Sequence, residues 1–404
     1  MPGERLDTWK AIAAYLGRDV RTVLRWHKDR ALPVHRVPGG KGRSVFAYPH
    51  ELDAWMASDP PPDAVPAAST WRRPGLISMA AGAIILLVLG AGVYVARAMA
   101  PRNPVRIVTV DKALVAYDNA NRQVWRVPLP SAAELTTRGA VFADLDGDGT
   151  REILAPLTFT YPSSAPGSAL YCLDASGRVR WSRSIEDTVR FGAGEFGPAW
   201  SSSDVAIVRR GSGVRVAYAV THSVWWPSIV AMLDVQGQVT GRFIHAGWIT
   251  RLETAANGTT LLAGGVSNAR DASILAVLDG DAAFTGALPE NAPEFRCACA
   301  TARLSSYFVF PRSEANRAAG QLALRESIEV RADGSVLVRV PQRSDLAADA
   351  LYEFTPAFEL RRAAFADLYW DWHRQLELRG VLDHPRDTCR AAAPPFTTGA
   401  SPPF

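Results

Sequence analysis

The segment FADLDGDGTREIL sets four carboxylates, Asp144, Asp146, Asp148 and Glu152, at positions 1, 3, 5 and 9 of a glycine-containing loop. Thr150 stands at position 7, where its backbone carbonyl can serve as a further oxygen ligand. Alternate spacing around a glycine turn wraps hard oxygens about one ion, and that donor set suits Ca²⁺. The expected role of such an ion is structural, pinning a loop between strands, and no catalytic role is read from it.

A second group of side chains suits a different chemistry. Arg18, Arg21, Thr22, Arg25 and Lys28 cluster within one short stretch, and Arg36, Lys41 and Arg43 surround a glycine-rich turn that comes after it. Between Met1 and Trp55 ten Lys/Arg stand against six Asp/Glu, whereas from Pro101 onward the two signs nearly cancel. A basic excess confined to one end is the electrostatic footprint of a module that meets phosphate.

The elements that must position these groups follow from apolar spacing. Asp7 and Thr8 are capping types, and Trp9, Ile12, Ala13 and Leu16 fall at i, i+3, i+4, i+7 before Gly17 ends the helix. Asp19 can cap a second helix with Val20, Val23, Leu24 and His27 on its inner stripe and Arg21, Thr22, Arg25 and Lys28 on the remaining surface. PVHRVPGGKGRSVFAY reads as strand, turn, strand, and Leu52, Trp55 and Met56 mark a third helix. Two short helices across a tight Gly-containing turn predict a helix-turn-helix.

LDTWKAIAAYLGRDVRTVLRWHKDRALPVHRVPGGKGRSVFAYPHELDAWM resembles, over about fifty residues, the winged helix-turn-helix heads of the MerR and excisionase-like superfamily. The resemblance implies a domain over 1–57 that binds double-stranded DNA. Arg18, Arg21, Thr22 and Arg25 would face bases or phosphates, with Lys28 beside them, and Arg36, Lys41 and Arg43 would lie along the backbone. Arginine can bridge guanine edges, while wing cations supply sequence-independent attraction. The long dimerising helix and effector domain of metal-sensing members are missing, so effector binding by the head is not implied.

Residues 58–73 form a proline-rich linker, with four prolines in SDPPPDAVPAAS, expected to be semi-extended. From 74 to 96 the chain runs PGLISMAAGAIILLVLGAGVYVA without a charge. About 20 apolar residues suffice to cross the hydrocarbon as a helix, which predicts a single transmembrane span. Arginines flank it on both sides, so orientation follows from the DNA-binding head: N-terminus cytoplasmic, the remainder periplasmic or extracellular, in an inner membrane. Small residues such as Gly82, Gly90 and Gly92 could let two spans approach, which would make a homodimer.

Residues 104–390 alternate short apolar runs with turn dipeptides, the pattern of many short antiparallel strands. A loose repeat of apolar strand, Asp, turn and second strand places Asp118, Asp174, Asp234 and Asp279 at spacings of 56, 60 and 45 residues. Such periods suit propeller blades whose Asp caps a hairpin turn, here about five of them, with a β-sandwich as the alternative. The acidic loop resembles the calcium loop of FG-GAP and VCBS repeats in integrin-like propellers, which implies Asp144, Asp146, Asp148, Thr150 and Glu152 as Ca²⁺ ligands. The Asp-turn-Trp strands also resemble quinoprotein-type propellers, with Trp125 and Trp181 expected to dock blades rather than hold a cofactor. Phe365, Leu368, Tyr369 and Trp372 could share a packing helix, and 391–404 reads as a disordered tail.

All four cysteines, Cys172, Cys297, Cys299 and Cys389, lie after the apolar segment, which fits an oxidising compartment; free thiols and disulfides both remain open. The expected fold class is thus multidomain: winged helix-turn-helix, one membrane helix, then an all-β propeller-like domain. The expected function is a membrane-anchored one-component transcription regulator whose outer domain senses a ligand of unknown identity. The alternative is an extracytoplasmic adhesion or scaffold protein with a docking head. No nucleophile elbow, phosphate loop or zinc pair is present in the sequence, so no enzyme is expected.

Overall fold

The computed structural model describes residues 5–36, 45–58, 103–160, 167–211, 213–224, 226–322, 327–383, 394 and 396–398. The chain divides into two compact units, Met1–Ala100 and Pro101–Phe404.

In the first unit Thr8 caps α1 (Trp9–Tyr15), its side chain accepting from the Ala11 N–H, and Asp19 caps α2 (Val20–Asp29) in the same way at Thr22. Gly17 sits between them at φ +62, a left-handed conformation that glycine reaches without penalty. The strands β1 (His35–Arg36) and β2 (Val45–Phe46) pair antiparallel, and α3 (Pro49–Ala57) starts on a proline whose missing N–H is harmless there. Ile12, Ala13, Leu16, Val23, Leu32, Val45, Ala47 and Leu52 form one small core.

Among the described residues the second unit is a propeller-like succession of five mainly antiparallel sheets, with one two-stranded hairpin between the second and third. The first holds β3 (Arg106–Val110), β4 (Ala113–Tyr117) and β5 (Gln123–Pro128). The second holds β6 (Ala133–Leu135), β7 (Val141–Ala143), β8 (Glu152–Phe159), β9 (Ser168–Leu173) and β10 (Val179–Arg183). After a hairpin of β11 (Val189–Phe191) and β12 (Gly194–Phe196), the third sheet takes β13 (Trp200–Arg210), β14 (Gly213–His222), β15 (Ser228–Leu233) and β16 (Val239–His245). The fourth begins with β17 (Gly247–Thr254), β18 (Leu261–Ser267) and β19 (Ala272–Leu278). The next strand, β20 (Thr285–Ala287), returns to the third sheet in parallel beside β16, and β21 (Ser306–Pro311) rejoins the fourth. Beyond the short α4 (Glu314–Ala318), the fifth sheet holds β22 (Ser327–Val330), β23 (Val336–Pro341), β24 (Asp349–Phe354) and β25 (Leu360–Phe365). The chain then forms α5 (Asp367–Leu378) and ends in β26 (Thr397–Thr398), paired with β21.

Successive sheets share cores, and strand alternation explains how. On β8, Ile153, Ala155 and Leu157 face the first sheet beside Leu114 and Ala116, while Leu154 joins the core under the third sheet with Val205, Val216 and Ile229. On β19, Ile274, Ala276 and Leu278 pack toward the third sheet, whereas Leu275 and Val277 pack toward Val336, Val338 and Phe354 of the fifth. Strands buried on both faces must be apolar at consecutive positions, as SILAVL and SIVAML are. This layering of consecutive sheets is not a two-sheet sandwich.

The repeated Asp-turn reading holds at three positions. Asp118, Asp174 and Asp234 each accept two backbone N–H groups, from Ala120 and Arg122, Ser176 and Arg178, and Gln236 and Gln238, at 2.8–3.0 Å. Trp125 then donates to the Ala175 carbonyl at 3.1 Å, and Trp181 to the Val235 carbonyl at 2.9 Å, so each ring docks on the turn of the next sheet. Asp279 departs from the pattern: it is exposed and faces Arg210 at 3.6 Å, because the chain here leaves through a 3-10 turn at Asp281–Phe284.

The expected multidomain fold class needs correction. The described residues are mostly β, helix is confined to five short segments of 12 residues at most, and no helix-turn-helix head is evident among them. No helix in the described residues is long and apolar enough to cross a membrane, so the single-pass localisation is not supported either. A bilayer needs a formed helix of about 20 residues, and an apolar run states only which solvent a segment avoids. The span read at 74–96, and the linker from 59 onward, lie outside the described residues.

Smaller differences have local causes. Leu24 is 43% exposed, while Trp26 packs inward against Trp55 at 5.6 Å between rings. On α5 the buried positions are Tyr369, Trp370, Trp372, His373 and Leu376; Leu368 is exposed and Phe365 stacks on Tyr369 from β25. In the tail expected to be disordered, Phe396 packs among Phe308, Phe310, Tyr352 and Phe354, and Thr397–Thr398 are paired. Cys297 and Cys299 form a disulfide, Cys172 is a buried free thiol, and Cys389 is outside the described residues.

Candidate functional site

Three places concentrate functional side chains. The first is the surface of α2. Burial of Val23 at 0% exposure fixes the rotation of this helix, which turns Arg21, Arg25 and Lys28 to solvent, with Arg18 exposed just before the cap. Thr22 is not free for a ligand, since its backbone N–H and hydroxyl both bond the Asp19 carboxylate, at 2.9 and 2.8 Å. Those two bonds hold the Asp19 carboxyl below the usual carboxylate range, so the cap stays ionised at neutral pH. Arg36 is exposed on β1, whereas Lys41 and Arg43 lie outside the described residues. Among the described residues, Arg18, Arg21, Arg25, Lys28 and Arg36 have no ion-pair partner. In the second unit Arg122, Arg138, Arg180, Arg210, Arg242 and Arg312 are paired with carboxylates, while others such as the exposed Arg361 and Arg362 have no ion pair among the described residues.

The second place is the acidic loop between β7 and β8. Carboxylate oxygens of Asp144, Asp146 and Glu152 lie within 4.8 Å of one another, while Asp148 does not join the group. Asp144 instead accepts the Gly147 and Gly149 N–H groups at 2.7 and 2.9 Å, and Asp148 accepts the Thr150 N–H at 2.6 Å, so the loop is knotted by its own backbone. Buried Glu152 accepts the Leu145 N–H at 2.9 Å. Its other oxygen meets Arg180 on β10 at 2.6 Å, and the same guanidinium reaches Asp146 at 2.7 Å. The Arg180 hydrogen bond is the main cause of a lowered Asp146 carboxyl pKa. In this arrangement a guanidinium supplies positive charge beside the three carboxylates. Cys172, next to this pair on β9, has its thiol pushed up to about 12, chiefly by burial.

The third place was not legible in the sequence. A cavity of 570 Å³ opens among β6, β8, β13, β14 and β17, between the second, third and fourth sheets. Its wall is mainly polar, with hydroxyls from Thr136, Thr250 and Ser201, the Trp248 ring, and the cations Arg138 and Arg251. Arg138 is consumed: it donates to the Leu252 carbonyl and pairs with Glu253 at 2.8 Å and Asp204 at 3.4 Å. Asp204 is buried, which raises its carboxyl pKa, against the pull of the Leu252 N–H at 2.9 Å and of Arg138. The Arg251 guanidinium makes no salt bridge or side-chain hydrogen bond among the described residues, but its charge also acts on the Asp204 carboxylate. Thr136 Oγ1 and His222 Nδ1 are buried without a hydrogen-bond partner among the described residues. Burial lowers the His222 pKa, which keeps its ring neutral, and the ring meets Phe196 and Trp200 in edge-to-face contacts. Arg138 and Glu253 are 115 residues apart in the chain, so no local spacing could have announced the group.

No protein-family model matches this chain, and no curated protein matches it. Among solved structures, a Bacteroides caccae protein of unknown function overlaps 65% of this chain and 94% of its own, at 12% identity and a TM-score of 0.28. Kuenenia stuttgartiensis hydrazine synthase overlaps 66% of each chain at 10% identity and 0.36. The C-terminal domain of Pseudomonas aeruginosa PilY1 overlaps 64% of this chain and 59% of its own at 13% identity and 0.37. TM-scores this low carry no argument about family or activity; the propeller-like description rests on the sheet order and shared cores.

Proposed function

We propose that this protein is a one-component transcription regulator, binding double-stranded DNA through the basic face of α2 and sensing a ligand through its second, β-rich unit. The observation that carries the reading is the set of exposed cations Arg21, Arg25 and Lys28 on α2, with Arg18 just before its cap, none of them ion-paired among the described residues, on a helix whose cap and core are already satisfied. Cations with internal partners mainly hold a fold together; cations left in water beside a rigid helix are available to phosphate oxygens. Arginine's planar fork adds the capacity for bidentate contact with phosphate or guanine. The larger unit contributes a cavity of 570 Å³ with a mainly polar wall, which supports a sensing role.

The test is fluorescence anisotropy of the full chain on a labelled duplex across a salt series. If the four cations neutralise four phosphates, log affinity falls against log salt with a slope of about −3.6, roughly a 150-fold loss from about 50 to 200 mM salt. A flat slope, or no binding at the lowest salt, overturns the proposal.

A further inference from the structure

We propose that the Cys297–Cys299 disulfide is a redox-active site that exchanges with the thiols of a cysteine-containing polypeptide, held in part by the aromatic rings beside it. The first observation is how little this bond closes. It joins cysteines two apart in sequence, with Ala298 alone between them. A structural disulfide stabilises mainly by restricting the unfolded chain, an effect that grows with the loop enclosed and is least for so short a loop. The segment is also tied down without it. The Gly192 N–H donates to the Arg296 carbonyl at 3.1 Å, Ala298 to Arg190 at 2.8 Å, and Ala287 to Ala300 at 2.9 Å. The second observation is access. Ala298, Cys299 and Ala300 are exposed and Cys297 is half-buried, in contrast to the buried Cys172. Exchange requires a thiolate to reach a disulfide sulfur, and exposed disulfides are the labile ones.

The third observation is the aromatic surface. Trp226 lies 4.7 Å from Phe196 and 5.1 Å from Phe295 between ring centroids, and all three rings are half-buried. Cys297 bridges to Phe191, itself buried and 5.5 Å from Trp226, so the disulfide and these rings belong to one cluster. Partly exposed rings beside an accessible disulfide suit apolar side chains that flank a client cysteine. The exchange balances as follows from the sulfurs present. A client thiolate attacks Sγ of Cys299, the more exposed residue; the new S–S bond forms, the Cys297–Cys299 bond breaks, and its electron pair stays on Sγ of Cys297, which takes up a proton. A second client thiolate then attacks the client sulfur of this mixed disulfide and releases Cys299 as a thiolate, which is protonated in turn. The client loses two electrons and two protons, and this chain gains them. Glutathione disulfide, reduced to two glutathione molecules, restores the bond by the same exchange run on the reduced pair. The inference needs neither DNA binding nor a ligand in the cavity.

The experiment incubates the oxidised full chain, without denaturant, with a synthetic peptide whose two cysteines are flanked by tryptophans, or with its serine-flanked counterpart. Thiols are quenched with iodoacetamide and mapped by mass spectrometry. Loss of the Cys297–Cys299 bond, matched one-for-one by peptide oxidation, is expected, with the tryptophan-flanked peptide reacting about threefold or more faster. Cys297→Ser/Cys299→Ser should lose the peptide oxidation, and the mapped loss of the bond in the wild type keeps the proposal testable if that variant does not fold. A bond that stays intact until denaturant is added, peptide oxidation that survives in the folded double variant, or equal rates for the two peptides would each overturn the assignment.

Discussion

The turn at Gly177 offers a sharp test of how neighbouring sheets are held together. Its φ is +87, and a Cβ built there would lie 2.6 Å from Trp125 Cδ2 and 2.8 Å from Cγ, closer than any real contact. Gly177→Ala therefore does two things. It places a Cβ in a left-handed conformation, at about 1–2 kcal/mol. It also pushes the Trp125 ring off the turn, breaking the 3.1 Å bond to the Ala175 carbonyl, a further loss of about 0.5–1.5 kcal/mol, together with some of the ring's packing. The sum is about 2–4 kcal/mol. Gly320 supplies the control, since its φ is +64 and nothing lies within 4 Å of its built Cβ, so Gly320→Ala carries the backbone strain alone. Guanidinium unfolding of both variants, monitored by tryptophan fluorescence, should place Gly177→Ala at least about 1 kcal/mol below Gly320→Ala. Equal losses would show that the Trp125 contact contributes nothing to holding the sheets, and its role as a docking ring would be refuted.

Other outcomes depend on particular side chains. His245 is buried and its pKa is pushed down to about 4, chiefly by desolvation, against about 6.5 in the unfolded chain. The unfolded state then binds the extra proton, so stability should fall by about 3 kcal/mol as pH drops from about 6.5 to 4, and His245→Gln should flatten that part of the profile; an unchanged profile refutes it. Wild-type melting temperature should be the same in chelator and in millimolar calcium, whereas Arg180→Gln, which frees Asp146 and Glu152, should gain about 2 kcal/mol from calcium; strong stabilisation of the wild type would show that the guanidinium does not fill the role assigned to it. The Cys172 thiol, buried and held protonated, should resist alkylation at pH 8 until denaturant is added, and rapid labelling of the native chain, mapped to that residue by mass spectrometry, would contradict its burial.

The features legible in the sequence were chiefly local. Asp118, Asp174 and Asp234 close their own hairpins within four residues, so spacing and residue type alone announce them. Asp279 has the same kind of strand before it and fails because the residues after it make a 3-10 turn and return to another sheet. Leu24 and Trp26 show the limit of helical periodicity: both are apolar, and only the position of Trp55 decides which one is covered. The acidic loop shows a deeper limit, because the guanidinium that pairs with Asp146 and Glu152 comes from Arg180, a residue on a strand two places away in the sheet. The cavity is less legible still, since its groups come from strands of three different sheets. The apolar run at 74–96 lies outside the described residues.

Chromatin immunoprecipitation of the full chain tests the central claim most directly, run beside an Arg21→Gln/Arg25→Gln variant whose folding is confirmed by circular dichroism. Discrete enriched genomic sites for the wild type, lost in the variant, are the predicted result. Absence of enrichment for the wild type, or enrichment that the double substitution leaves intact, would contradict DNA recognition by the basic face of α2.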